Sequence, residues 1–165
     1  MDRKELGETY ADGGSTRVAV QPSPEKPDRN CTHLAGEYFV AAELYRRGYS
    51  VAITLGNAKA IDLFAAKGAC SVNIQVKAIR HRKNVGWPMM RDKVIDGVLY
   101  IFVCVNDPGT APDYFIATSQ EARVKVKQYA TRGIIDLTRL RTPDFKERWD
   151  KVESALIQPV KESRL

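Results

Sequence analysis

No stretch of this 165-residue chain approaches the roughly 20 apolar residues needed to span a bilayer, which excludes a helical membrane protein. The segment MDRKELGETYADGG carries no apolar core and does not read as a secretory signal. Cysteine is scarce: Cys31, Cys70 and Cys104 are odd in number, widely spaced and form no CxxC pair. That argues against a disulfide scaffold or a zinc knuckle and fits a reducing cytoplasm. Neither a GxGxxG nor a Walker A sequence is present, so the common phosphate-cradling loops are absent. No internal repeat is evident.

What remains is an ordinary globular composition, 44% hydrophobic and 28% charged. The net charge of +6 favours a polyanionic partner, though charge alone is a weak guide. Residues 1 to 30, rich in Gly, Ser, Pro and charge, are expected to form a flexible tail. Residues 31 to 165 have the length of a single domain.

Within that domain a helix is expected over about 33 to 47, with Thr32 as N-cap and Gly48 as the stop. A strand follows at 49 to 55, then a hairpin over about 60 to 80. Residues 81 to 95 read as irregular and basic. The apolar run 97 to 106 predicts a buried central strand, and 113 to 118 a further strand. Helical patterns occupy about 119 to 131 and 143 to 156. The order predicts an α/β fold with a mixed central sheet flanked by helices.

The hairpin "AIDLFAAKGACSVNIQVKA" is interrupted by Asp62, Gln75 and Lys77. A two-residue turn at Gly68-Ala69, glycine first, sets Lys67 against Cys70. The same register sets Asp62 directly opposite Gln75. Alternation then puts Gln75 and Lys77 on one face, with Ile74 and Val76 on the other. Two readings stand. The patch is a solvated sheet face with an exposed Asp62–Lys77 pair, or it is a covered site whose polar groups need a partner such as a cation. The apolar neighbours Ile61, Leu63, Phe64, Ile74 and Val76 favour the second.

On the first helix, Leu34, Glu37, Ala41 and Leu44 share one stripe; taken alone Glu37 reads as an edge residue reaching water, and taken with Asp62 and Gln75 as a third oxygen ligand toward the same patch. Glu43 falls on another row and pairs with Arg47. Carboxylate and amide oxygens are hard donors that suit Mg²⁺, or Mn²⁺ in its place. With a lysine beside them, they make a set able to support metal-assisted phosphodiester hydrolysis.

These residues resemble the PD-(D/E)XK nuclease superfamily and, within it, the Holliday-junction-resolvase-like branch. The resemblance is carried by "GEYFVAAEL", "GNAKAIDLFA" and "VNIQVKA" and covers about 35 to 117. It implies a restriction-endonuclease-like fold, with Glu37, Asp62, Gln75 and the carbonyl of Val76 as metal ligands and Lys77 as the catalytic lysine. It implies a Mg²⁺-dependent DNA endonuclease, RNA not being excluded, that works as a homodimer. Gln75 departs from the more usual acid and removes one negative charge. That keeps open a non-catalytic nucleic-acid-binding or scaffold protein on the same fold.

The segment after Lys77 is basic. Arg80, Arg82, Lys83 and Arg91 are candidates for phosphate contact. Trp87 is read either as a stacking platform for an unpaired base or as a core residue. Asn57, ahead of Asp62, reads as a loop cap or as a contact to the nucleic acid, and Lys59 beside it as a candidate for the nucleic-acid face. His33 and His81 read as surface histidines. Gln120 and Glu121 read as capping residues, and Tyr114 and Phe115 as core.

Overall fold

Helix α1 (Arg29–Arg46) opens the computed structural model, which describes residues 29–54, 61–80 and 85–157. It begins three residues before the expected cap, so Thr32 lies inside it. It closes as predicted at Gly48: Gly48 N–H donates to Tyr45 O at 3.0 Å and Tyr49 N–H to Leu44 O at 3.1 Å. These two bonds make a Schellman ending. The buried face is Gly36, Glu37, Val40, Ala41 and Leu44. Leu34, expected on that stripe, is instead exposed, because the buried arc centres on Val40, Leu44 and Glu37 and leaves Leu34 at its rim.

The main sheet has the order β1-β2-β3-β5-β6, from β1 (Ser50–Ile53), β2 (Leu63–Lys67), β3 (Cys70–Ile79), β5 (Val98–Cys104) and β6 (Asp113–Ala117). The β2–β3 hairpin has the register the turn demands, Lys67 opposite Cys70. Gly68 has φ +62° while Ala69 is not in the positive-φ region, as a type II′ turn requires. Strand β3 runs parallel to β5, and every other pairing in the sheet is antiparallel. The mixed α/β architecture is thus the one expected, and all seven residues of β5 are buried.

A second sheet, order β4-β8-β7, was not legible as strands. It comprises β4 (Gly86–Pro88), β7 (Lys127–Gln128) and β8 (Gly133–Asp136). The segment 81 to 95, expected irregular, contributes β4 and a 3-10 turn at Arg91–Lys93. The helix expected over 119 to 131 stops at Lys125 as α2 (Ser119–Lys125), and the chain turns back as β7–β8. Its start is as read: Thr118 and Glu121 form a reciprocal capping box. The helix expected over 143 to 156 is confined to α4 (Asp150–Ser154), preceded by α3 (Leu137–Leu140). Between them Phe145 O accepts from Ile116 N–H at 2.8 Å, so that segment serves the sheet edge instead.

Two cores result. One lies between α1, α4 and the main sheet and includes Val40, Leu44, Leu63, Ile74, Val76, Ile101 and Trp149. The other lies on the opposite face, under the small sheet, around Trp87, Tyr100, Phe102, Phe115, Ile135 and Leu140. Among the described residues no helix is long and apolar enough to cross a membrane.

Helix α1 approaches β3 at Gly36, where an added Cβ would overlap the Cβ of Ala78 and lie 3.6 Å from Val76 Cγ1. Both neighbours belong to a central strand and cannot swing away. Gly36→Ala is therefore expected to push the helix outward. A lowered Tm on thermal unfolding, by about 1–3 kcal/mol of overpacking, is the readout. A variant as stable as wild type would show that the contact relaxes at no cost.

Candidate functional site

The paired ladder of β2 and β3 ends at Leu63 opposite Ile74. One residue earlier, Asp62 N–H donates to the same Ile74 carbonyl at 2.9 Å. Two consecutive residues thus face one partner, the signature of a β-bulge. The direct opposition of Asp62 to Gln75 expected from the turn is therefore corrected. The bulge shifts Asp62 out of the ladder and re-aims its carboxylate, whose Oδ2 accepts from Val76 N–H at 2.7 Å. Thr54 secures the same bend from the other side, its N–H donating to Asp62 O at 2.9 Å and its hydroxyl to Ile61 O at 2.6 Å.

Glu37 reaches this point from α1 with only 7% of its surface exposed. Burial raises its pKa, and the nearby charge of Asp62 raises it further against the pull of His33. Its Oε1 lies 2.8 Å from His33 Nδ1. Ligand atoms of His33, Glu37 and Asp62 all fall within 4.8 Å of one another. His33, read as a surface residue, is therefore part of the cluster. Its place one helical turn before Glu37 was the available signal, since i and i+4 share a face.

Gln75 and Lys77 project from β3 toward the second core, the face away from α1. Both line a groove of about 630 Å³ whose other walls include Met89, Lys93, Thr131 and Arg132. Burial lowers the Lys77 pKa, and the Asp62 charge opposes that shift. Asp62 is thus felt electrostatically by both Glu37 and Lys77. It stands where the two strands part, with His33 and Glu37 within 4.8 Å on the α1 side.

The basic candidates divide. Arg80 is half-buried just beyond β3. Arg91 braces the small sheet, its guanidinium donating to Val126 O at 2.8 Å and its N–H to Gln128 Oε1 at 3.0 Å. Asn57, Lys59, His81, Arg82 and Lys83 lie outside the described residues. Base stacking by Trp87 is corrected: the ring is 1% exposed and packs edge-on against Phe102 and Phe115, at centroid distances of 5.2 and 5.9 Å. No ring face is left for a base.

Two carboxylates and an imidazole nitrogen within coordinating range make a donor set that fits a divalent cation. Oxygen donors admit Mg²⁺ or Mn²⁺, and the nitrogen tilts the set toward the latter. The raised pKa of Glu37 shows why a cation fits: like charges held together in a partly desolvated site gain from a positive charge between them.

No family model matches the sequence, and no curated protein matches it. Among solved structures, the chain is similar to Archaeoglobus fulgidus Hjc, a Holliday junction resolvase from an archaeal hyperthermophile. The TM-score is 0.49 at 17% identity, covering 73% of this chain and 95% of that one. It is similar to a bacterial homing endonuclease at a TM-score of 0.49 and 13% identity, covering 77% of this chain and 87% of that one. At this level the functional reading rests on the geometry of the site itself.

Proposed function

We propose that this chain is a metal-dependent nuclease of the PD-(D/E)XK type that hydrolyses DNA phosphodiester bonds. The observation that carries this reading is the convergence of Glu37 and Asp62 from two elements, with the partly buried Lys77 beside Asp62. Asp62, Glu37 and His33 would hold Mg²⁺ or Mn²⁺, with the Val76 carbonyl and Gln75 on the neighbouring strand as further candidate ligands. The bound ion would supply Lewis acidity toward a phosphoryl oxygen and charge stabilisation in the transition state. Lys77 orients the attacking water, takes up its proton or offsets the developing charge. Arg80 and Arg91, with Asn57, Lys59, Arg82 and Lys83, contact the DNA backbone. Trp87 has no part in this contact. A homodimer would place two such sites for two strands, in the reducing cytoplasm.

The amide at Gln75 favours one second reading, a nucleic-acid-binding protein on the same fold whose chemistry has been lost. Plasmid, single-stranded and four-way-junction DNA, each incubated with Mg²⁺, Mn²⁺ or EDTA, separate the two. The nuclease reading expects cleavage that EDTA abolishes and that Asp62→Ala and Lys77→Ala lack. Cleavage surviving either substitution sinks the mechanism. DNA binding without any cleavage or metal binding supports the second reading.

Metal occupancy has its own readout. Titrating Mn²⁺ to a hundredfold excess over its Kd is expected to stabilise wild type by about 2.7 kcal/mol. Asp62→Asn should remove this gain while leaving metal-free stability close to wild type, since the amide oxygen can still accept from Val76 N–H. An Mn²⁺-induced Tm rise as large in Asp62→Asn as in wild type would count against Asp62 as a ligand.

A further inference from the structure

The β7–β8 hairpin carries basic and aromatic residues that the proposed chemistry does not use. Lys127 pairs with Ile134 and Gln128 with Gly133, and Tyr129 N–H donates to Arg132 O at 2.8 Å. Tyr129 and Arg132 are therefore opposed across the turn, and Lys127, two residues before Tyr129, shares their face. The Arg132 guanidinium lies 5.1 Å from the Tyr129 ring centroid. Lys127 Nζ lies 5.4 Å from the same centroid. Tyr129 thus gathers two cations at the tip while itself remaining 41% exposed.

This tip is braced. Gln128 Nε2 donates to Tyr129 O at 2.7 Å and to Arg132 O at 3.2 Å, spanning the turn. Gln128 Oε1 accepts from Arg91 N–H, and Met89 N–H donates to Gly133 O at 3.0 Å. The tip is thereby fixed to the 89–91 segment that walls the groove. Thr131 and Arg132 line the same groove as Gln75 and Lys77, and Lys93 joins them there. Against these cations the lining offers, among the described residues, a single acid, Asp92.

From this placement we infer that the β7–β8 hairpin is a phosphate clamp. Lys127 and Arg132, positioned by Tyr129, grip the DNA backbone and lead the strand along the groove to Lys77. The occupant rests on the nuclease reading above; the clamp itself is a separate claim. A strand held at Arg132 on one wall and presented to Lys77 on the other crosses the site in one defined direction. That is positioning in the sense that accelerates a bimolecular reaction.

The test is fluorescence anisotropy of full-length protein with a labelled DNA duplex and its single strand, in EDTA, across a salt series. Lys127→Ala/Arg132→Ala is expected to weaken binding by about tenfold and to flatten the salt dependence by about two units of slope. Tyr129→Ala should lose part of this affinity although no charge is removed, because the two cations are no longer held. Lys67→Ala/Arg148→Ala, which removes two cations outside the groove, should stay within about twofold of wild type. Tm values confirm that each variant folds. If the control pair loses as much as the clamp pair, or the clamp pair binds like wild type, the clamp is overturned while the nuclease reading stands. If wild type binds neither DNA, both fail together.

Discussion

Lys77→Met is expected to reduce DNA cleavage by about 10²–10⁴-fold while raising the Tm of the metal-free protein. The two effects share one cause. Burial lowers the Lys77 pKa, and the Asp62 charge offsets this only in part. Between that lowered value and the ordinary lysine range, the unfolded chain holds the proton more tightly than the fold does. Stability therefore rises with pH across that window, and below it the buried charge costs the fold. Methionine fills the same slender space without the charge. The variant should lose the pH dependence of stability in this window, gain in Tm below it and keep its Mn²⁺-induced Tm rise. Single-turnover cleavage assays and calorimetry across pH check it. A variant that loses both activity and Tm would make Lys77 a structural residue, and one that cleaves like wild type would remove it from the chemistry.

Trp87→Ala carries the largest expected loss of stability, about 3–5 kcal/mol. The ring fills the centre of the second core between Phe102 and Phe115, both fully buried. Its removal leaves a cavity beneath the small sheet that β4 and β8 cannot close without breaking the Trp87–Ile135 pairing. Trp87→Phe should be far milder, because it keeps most of the apolar volume and deletes an indole N–H that has no acceptor among the described residues. If the residue acts only through packing, Trp87→Phe binds DNA with wild-type affinity. Loss of DNA binding in a variant that unfolds at the wild-type temperature would restore the stacking role.

How much of this was legible follows the range of the forces involved. The end of α1 at Gly48, the Lys67–Cys70 register and the buried β5 were all readable, because each depends on neighbours a few residues apart or on a long apolar run. The second sheet was not. Strands β4, β7 and β8 are two to four residues long, too short for a period of two to stand out, and they exist because Trp87 and Ile135 cover Phe102 and Phe115. Trp87 itself reads the same in a loop or in a core until its neighbours are known. Leu34 lies outside the buried arc and Val40 inside it for a similar reason. Helical spacing gives the width of an apolar stripe, but close contact at Gly36 decides which arc of it meets β3.

By itself the sequence determined on which elements the candidate residues stand. It put an acid, an amide and a lysine on adjoining strands and a second acid on a helix, because strand and helix periods are local properties of the chain. Only the tertiary structure decided how these groups meet. The bulge at Asp62 replaced a cross-strand pair with a carboxylate bonded to Val76 N–H. The packing of α1 added His33 to Glu37 and Asp62. The fold of residues 127 to 136 brought Thr131 and Arg132 to the groove that Lys77 lines. Each of these depends on contacts between segments far apart in the chain, where the balance of burial and backbone hydrogen bonding is settled only once all the partners are in place.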